Sequence, residues 1–321
     1  MDFARFDFIT KNFFNKSKVI NIAEIDSGLV NQTYVIEHLY NGVKSKFILQ
    51  SLSNIFESYD IVNMNHKLIT DHIEHKINHG FLNFDGKRWE VPNLIKCKSN
   101  NLFSFSFESN IWRAMLYIDD TYSVDFLEDE LMSFQTGVGL AKFHLINYDL
   151  DSSRLRKSIN NFHNTKYYIN QYLKTFEDYD FNNLDKEVNM RIKDLNHNLS
   201  NHIVYVDFLL KSLNKNIIKK NIIHGDPKLS NFLFDIQFKY VVSLIDLDTV
   251  SSGYLLSDLA DCIRSICNLA GEDPVNKEDV SFDMNSCKHF LKGYFSITQN
   301  DIQASFKFLP EFIYLIIIEL T

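Results

Sequence analysis

The sequence predicts an α+β chain in two parts, an antiparallel-sheet N-terminal half followed by a mainly helical C-terminal half. Two patterns predict it. β-type runs crowd the residues before about 118, and apolar residues at helical spacing dominate after Asp119-Asp120-Thr121. A length of 321 residues, 45% of them hydrophobic, is enough for two lobes that each bury a core. The expected division is 1–118 and 119–321.

In chain order, Ile22 to Asp26, Gln32 to Leu39 and Ser45 to Leu52 read as strands. Tyr40-Asn41-Gly42 supplies an Asn-Gly turn between the second and third. A helix is expected from about Tyr59 to His79. Trp89 to Lys96, Leu102 to Phe107 and Trp112 to Ile118 read as further strands, with turns at Ser99-Asn100-Asn101 and Glu108-Ser109-Asn110. Phe126 to Leu145, Lys166 to Phe176 and Leu184 to Leu213 carry apolar residues at helical spacing, and Glu128-Asp129-Glu130 suits a helix N-terminus. Short strands return around Ile222-Ile223, Phe232 to Asp235 and Val241 to Ile245. Phe312 to Ile318 is too short to span a bilayer and reads as a buried helix. It runs into Glu319-Leu320-Thr321 with no Gly, Asn or basic last turn to close it, so a truncated C-terminus is expected.

Composition narrows the class of protein. The formal net charge is −8 and no long Lys/Arg stripe occurs, which argues against a nucleic-acid partner. The four cysteines, Cys97, Cys262, Cys267 and Cys287, include no C-x-x-C pair and read as reduced packing residues of a cytoplasmic protein. Met1-Asp2-Phe3-Ala4-Arg5 lacks the basic and apolar regions of a signal peptide. A small-molecule partner is expected, without membrane or nucleic acid. The oligomeric state is not legible.

The segment that carries chemistry is His224-Gly225-Asp226-Pro227-Lys228-Leu229-Ser230-Asn231. Phosphoryl transfer needs one carboxylate to take the proton of the attacking hydroxyl. It also needs a neutral oxygen and a second carboxylate to hold Mg²⁺ against the β- and γ-phosphates. Kinase catalytic loops provide an Asp and, five residues on, an Asn. Asp226 and Asn231 have that spacing, and Lys228 falls where a basic residue meets the transferring phosphate. Fifteen residues past Asn231, the run Val241 to Ile245 ends in Asp246-Leu247-Asp248-Thr249. A carboxylate at the end of a buried strand suits the second Mg²⁺ ligand, so Asn231 and Asp246 are the expected metal residues. Asp248 would assist or bind substrate. Either motif alone arises by chance as a turn or an exposed acidic loop. The two in this order, each beside a strand, predict an ATP- and Mg²⁺-dependent kinase of bilobal, protein-kinase-like fold.

With these motifs the sequence resembles the aminoglycoside phosphotransferase and choline kinase group, most of all N-acetylhexosamine 1-kinases. The resemblance runs from about Asn21 to Leu320. It is carried by Asp246-Leu247-Asp248-Thr249-Val250 and Asp258-Leu259-Ala260-Asp261-Cys262-Ile263-Arg264. Trp112-Arg113 leading into Tyr117-Ile118, Phe162-His163-Asn164-Thr165 and Phe47-Ile48-Leu49-Gln50 add to it. The family continues past this chain's end, in line with the expected truncation. The resemblance implies that Asp258 buttresses the catalytic loop. The kinase reading puts the backbone from about Tyr117 through Ile118 to Asp119 against the adenine. The resemblance places His163 near a sugar pocket, against the plainer reading of a residue before the helix at Thr165. Arg264 would reach phosphate or substrate, or pair with Asp261, and the ion pair is favoured.

The loop Asp26 to Tyr34, with Gly28, Asn31 and Thr33, would approach the phosphates through backbone amides and side-chain donors. Protein kinases put a Lys at the end of the third strand, whereas this chain has Gln50 followed by Ser51. The facing helix has Met64-Asn65 in place of an acidic partner. Weak nucleotide affinity is therefore expected. The implied reaction is phosphorylation of the anomeric hydroxyl of an N-acetylhexosamine. The alternatives are another small hydroxyl compound (aminoglycoside, homoserine, choline or ethanolamine) and a catalytically weak nucleotide-binding module. His72, His75 and His79 read as a solvated helix face rather than a metal site, and His144 as a capping or core histidine.

Overall fold

The computed structural model describes residues 2–25, 30–80, 86–180, 185–213, 220–271, 276–298 and 303–320. It opens with a helix that the strand-rich expectation lacks, α1 (Phe3–Phe13). Asp2 caps it by accepting the amides of Ala4 and Arg5. Phe6, Ile9 and Phe13 form one face of α1, which packs on Val19, Ile22, Tyr34 and Trp112 of the sheet.

That sheet is antiparallel. β1 (Lys18–Ile25), β2 (Gln32–Tyr40) and β3 (Val43–Leu52) follow as a meander. Tyr40 pairs with Val43 across Asn41 and Gly42, whose φ values of 52° and 80° make the turn that suits strand twist. Ser58 caps α2 (Tyr59–Asn78). β4 (Leu94–Ile95), β5 (Ser104–Phe107) and β6 (Asn110–Leu116) complete the order β1-β2-β3-β6-β4, with β5 also on β6. The expected strand Trp89 to Lys96 pairs only at Leu94 and Ile95. Pro92 has no amide to give, and Trp89 and Val91 are buried in the neighbouring core instead.

After β7 (Thr121–Tyr122) the chain is mainly helical. α3 (Glu130–Asn147) begins later than expected, because Asp129 accepts the Met132 amide and fixes the start. Then come α4 (Thr165–Glu177), α5 (Lys186–Leu213), β8 (Asn221–Ile223), β9 (Phe232–Asp235), β10 (Val241–Leu244) and β11 (Ser251–Gly253). α6 (Leu255–Ile266), α7 (Met284–Ile297), α8 (Gln303–Phe306) and α9 (Leu309–Leu320) follow. β10, β9 and β7 form one small sheet, β11 and β8 another.

The larger core joins α3, α6 and α7 through Leu140, Phe143, Leu259, Ile263 and Phe290. Losing the Phe143 ring there would cost about 3–5 kcal/mol. α3 and α7 touch backbone to backbone at two glycines. A Cβ on Gly137 would lie 2.0 Å from the Phe290 carbonyl oxygen, and one on Gly293 1.9 Å from that of Phe134. All four cysteines are free and buried. Among the described residues no helix is long and apolar enough to cross a membrane.

Candidate active site

The loop His224–Asn231 leaves β8 and enters β9, and its shape is set from below. His224 is fully buried, which depresses its pKa and keeps the ring neutral. Its Nε2 donates to the Ile245 carbonyl at 2.9 Å, which leaves Nδ1 to accept the Asp226 amide at 3.3 Å. Asp258, on the first turn of α6, accepts the amides of His224 at 2.6 Å and Gly225 at 2.9 Å. Burial works against its charge. The His144 ring at 2.9 Å and the Gly225 amide outweigh it and hold the carboxyl below its ordinary range. His144 also meets the Tyr294 hydroxyl at 2.8 Å, so it is a core histidine.

Gly225 sits at φ 91°, where a Cβ would come within 2.8 Å of the Thr249 carbonyl oxygen. Thr249 in turn donates its hydroxyl to the His224 carbonyl at 2.9 Å. The Asn231 amide donates to the Asp226 carbonyl at 2.8 Å, and the Ile245 amide to the Asn231 carbonyl at 2.9 Å. The two sequence motifs are thereby fastened to each other. Asp246 follows at φ 63° and opens the short 3-10 turn Leu247–Thr249. Burial, with Asp248 and Asp226 nearby, pushes its carboxyl up to about 7 against the pull of Arg113 and Lys228. The Lys228 Nζ is 3.7 Å from Asp226 Oδ2.

A cavity of about 260 Å³ lies between this loop and the sheet. Ile25, Val35, Ile48 and Met115 line it from the sheet, Leu233 and Ile245 from the other side. Of the residues expected at a site, Thr33, Gln50, Tyr117, Ile118, Lys228, Asn231 and Asp246 line this cavity. Gly28 lies outside the described residues.

Asp248 is 3% exposed, with Arg113 Nη2 at 2.7 Å and 2.8 Å and Asn31 Nδ2 at 2.8 Å. Asn31 also accepts the Ser53 amide at 2.9 Å, so both residues are held beneath the cavity wall. Gln50 donates to the Thr33 hydroxyl at 3.0 Å, and its oxygen accepts Arg113 Nε at 2.9 Å and Nη2 at 2.6 Å. Ser51 points to the opposite face of β3 and does not line the cavity. On α2, Met64 is exposed and Asn65 bonds the Arg156 backbone. The residue that reaches the cavity is His66, whose Nε2 donates to the Pro92 carbonyl at 2.6 Å. Burial, then the Arg113 charge, lowers His66 to about 4.

His163 and Arg264 are elsewhere. His163 borders a second cavity of about 400 Å³ with Lys157, Lys166, Asp207, Lys211 and Glu319. It bonds Glu319 Oε2 at 2.9 Å and the Gly225 carbonyl at 2.6 Å. Burial alone would depress this histidine, but Glu319 and the carbonyl prevail and push it up to about 9. Arg264 pairs with Asp261 at 2.9 Å. Burial nonetheless raises Asp261 to about 6. Sequence reading missed Arg113, His66 and Glu319 as members of these sites. The signal for Arg113 was present: a charge inside the apolar run Asn110–Leu116. Among the described residues, no group of three or more His, Cys, Asp or Glu could by itself hold a metal ion.

A sheet over a helical part, with a cavity between them lined by the Lys228 and Asn231 end of an Asp-x-x-x-x-Asn loop, defines a protein-kinase-like phosphotransferase. Residues 111–281 match the phosphotransferase enzyme family, and the chain belongs to it. Solved structures agree on the fold. A microcompartment-associated aminopropanol kinase is similar with a TM-score of 0.63 at 13% identity, over 99% of this chain and 88% of that one. A spectinomycin phosphotransferase in complex with ADP and spectinomycin gives 0.58 at 14% identity, over 98% and 86%. An ethanolamine kinase of Plasmodium vivax gives 0.56 at 16%, over 97% and 76%.

Proposed function

We propose that this chain transfers the γ-phosphoryl group of ATP to the anomeric hydroxyl of an N-acetylhexosamine, with Mg²⁺ as cofactor. The observation that carries the kinase part is the fastening of Asp226, Asn231 and Asp246 into one loop system beside the cavity. In this reading residues 1–118 supply the sheet side of the nucleotide slot and 119–321 the catalytic side. The apolar walls suit a planar base, with the backbone at Tyr117 and Ile118 at its edge. The ADP bound to the spectinomycin phosphotransferase is in keeping with this.

Asp226 takes the proton of the attacking hydroxyl, and Lys228 faces the transferring phosphate. The residues fit a hard divalent cation. Asp246 is raised to about 7 by burial and by its carboxylate neighbours, and a positive charge at its oxygens would relieve that. Asn231 and Asp246 would hold Mg²⁺, which takes the rest of its shell from phosphates and water. When bound, the ion neutralises charge developing on the transferred group.

The sugar assignment rests on the resemblance in the 112–118, 162–165 and 246–264 segments. The second cavity adds support. Lys157, Lys166, Lys211 and a cationic His163 outnumber Asp207 and Glu319 there, and Glu319 is taken up by His163 and Thr165. Such a lining favours an uncharged polyol over a cationic amino alcohol or aminoglycoside. A panel of sugars and amino alcohols, assayed for ADP release, tests it. Turnover on GlcNAc or GalNAc is expected, and turnover only on an amino alcohol would overturn the sugar assignment. Tight Mg·ATP binding with no ADP formed on any member would favour a non-catalytic nucleotide-binding module.

A further inference from the structure

We propose that Arg113, on β6, is the cation that meets the nucleotide's phosphates in this chain, a task that protein kinases give to a lysine on the third strand. The inference rests on the kinase reading above. Position 50 is neutral, but its directly opposed partner across the β3–β6 ladder is Arg113. The Gln50 oxygen accepts both Nε and Nη2 of that guanidinium, so the fork is held at the end of the side chain where the lysine ammonium would sit. Asp248, from the loop after β10, takes Nη2 from the other side.

Two further facts point from Arg113 to an anion. It lines the same cavity as Lys228, Asn231 and Asp246. And although Arg113 is 1% exposed, its Nη1 has no hydrogen-bond partner among the described residues. Buried guanidinium donors are nearly always satisfied, and the N–H groups left on Nη1 are charge-assisted donors of the kind that bond phosphate oxygens. The arrangement also explains the glutamine. A lysine at position 50 would set an ammonium against the guanidinium, whereas an amide oxygen accepts from it and fixes its direction.

The test is calorimetry on the full chain with Mg·ADP and with adenosine, which shares the base and sugar but has no phosphate. Removing Arg113 alone would strand Asp248, so the charges are removed together in Arg113→Met/Asp248→Asn. The expected result is a Kd for Mg·ADP raised tenfold or more, with that for adenosine within about twofold of the starting chain. Arg113→Lys keeps charge without the fork and should fall between. Gln50→Lys should raise the Mg·ADP Kd. Wild-type Mg·ADP affinity in a folded double variant would overturn the inference, as would equal losses for ADP and adenosine. A Gln50→Lys variant with tighter binding would do the same. A starting chain that binds neither ligand would overturn the kinase reading itself, and this inference with it.

Discussion

His163 and Glu319 form a half-buried ion pair that reaches the His224–Asn231 loop from the last helix, 156 residues away in sequence. The imidazolium donates from one nitrogen to the Glu319 carboxylate and from the other to the Gly225 carbonyl, one residue before Asp226. Its own backbone is left-handed, at φ 53°. A non-glycine residue stays in that region when its surroundings hold it there.

Glu319→Gln should therefore lower the His163 pKa from about 9 toward its ordinary 6.5, read by NMR titration of the ring. The folded value lies above the unfolded one. The stability this pair contributes is thus complete below about pH 6.5 and fades as the pH rises through about 9. The difference in Tm between the starting chain and the variant should close over that window. A difference that stays constant from pH 6 to pH 10 would show the pair is uncharged.

Asp226→Asn should reduce turnover by roughly 10²-fold or more, the scale of lost general-base help. Asp226 does not line the cavity, so the Kd for Mg·ATP should change only a few-fold. Retained turnover would remove Asp226 from the base role. A collapse in nucleotide binding would assign it to the binding site.

Gly225→Ala combines a positive φ with a Cβ 2.8 Å from the Thr249 carbonyl oxygen. It should cost on the order of 1–3 kcal/mol in denaturant unfolding. Turnover should fall as well, since the displaced atoms belong to both motifs. An unchanged unfolding midpoint would mean the loop accommodates a side chain.

Mg²⁺ should be indispensable, and its binding should depend on pH through Asp246. A carboxyl near 7 in the absence of metal is mostly protonated at pH 6, and the ion must displace that proton. Metal-dependent nucleotide affinity should climb between pH 6 and 8, approaching about tenfold per unit at the acid end. In Asp246→Asn it should be weak and flat. A pH-independent starting chain would argue that another group holds the ion.

The sequence made the spacing of Asp226, Asn231 and Asp246 legible because all three lie on adjoining local segments. The hairpin at Asn41-Gly42 was legible for the same reason, since two adjacent residues carry the whole signal. Helix α1 was not, because a short phenylalanine-rich stretch reads equally well as strand until Asp2 is seen to cap it. The partners of Gln50 were beyond reach, since Arg113 meets it only through the β3–β6 register. Glu319 was equally hidden. Its side chain was read as part of an open helix end, and its role depends on a partner in a distant segment.

The shared carboxylate of Asp248 has a mechanical consequence. Asn31 reaches it from just before β2 and Arg113 from β6, while its own backbone carbonyl accepts the Ser158 hydroxyl at 2.5 Å. Its φ-strained neighbour Asp246 and the fastened Asn231 stand beside the same point. Asp248 thus serves as a single rivet, joining the sheet and the Ser158 segment to the turn that follows β10.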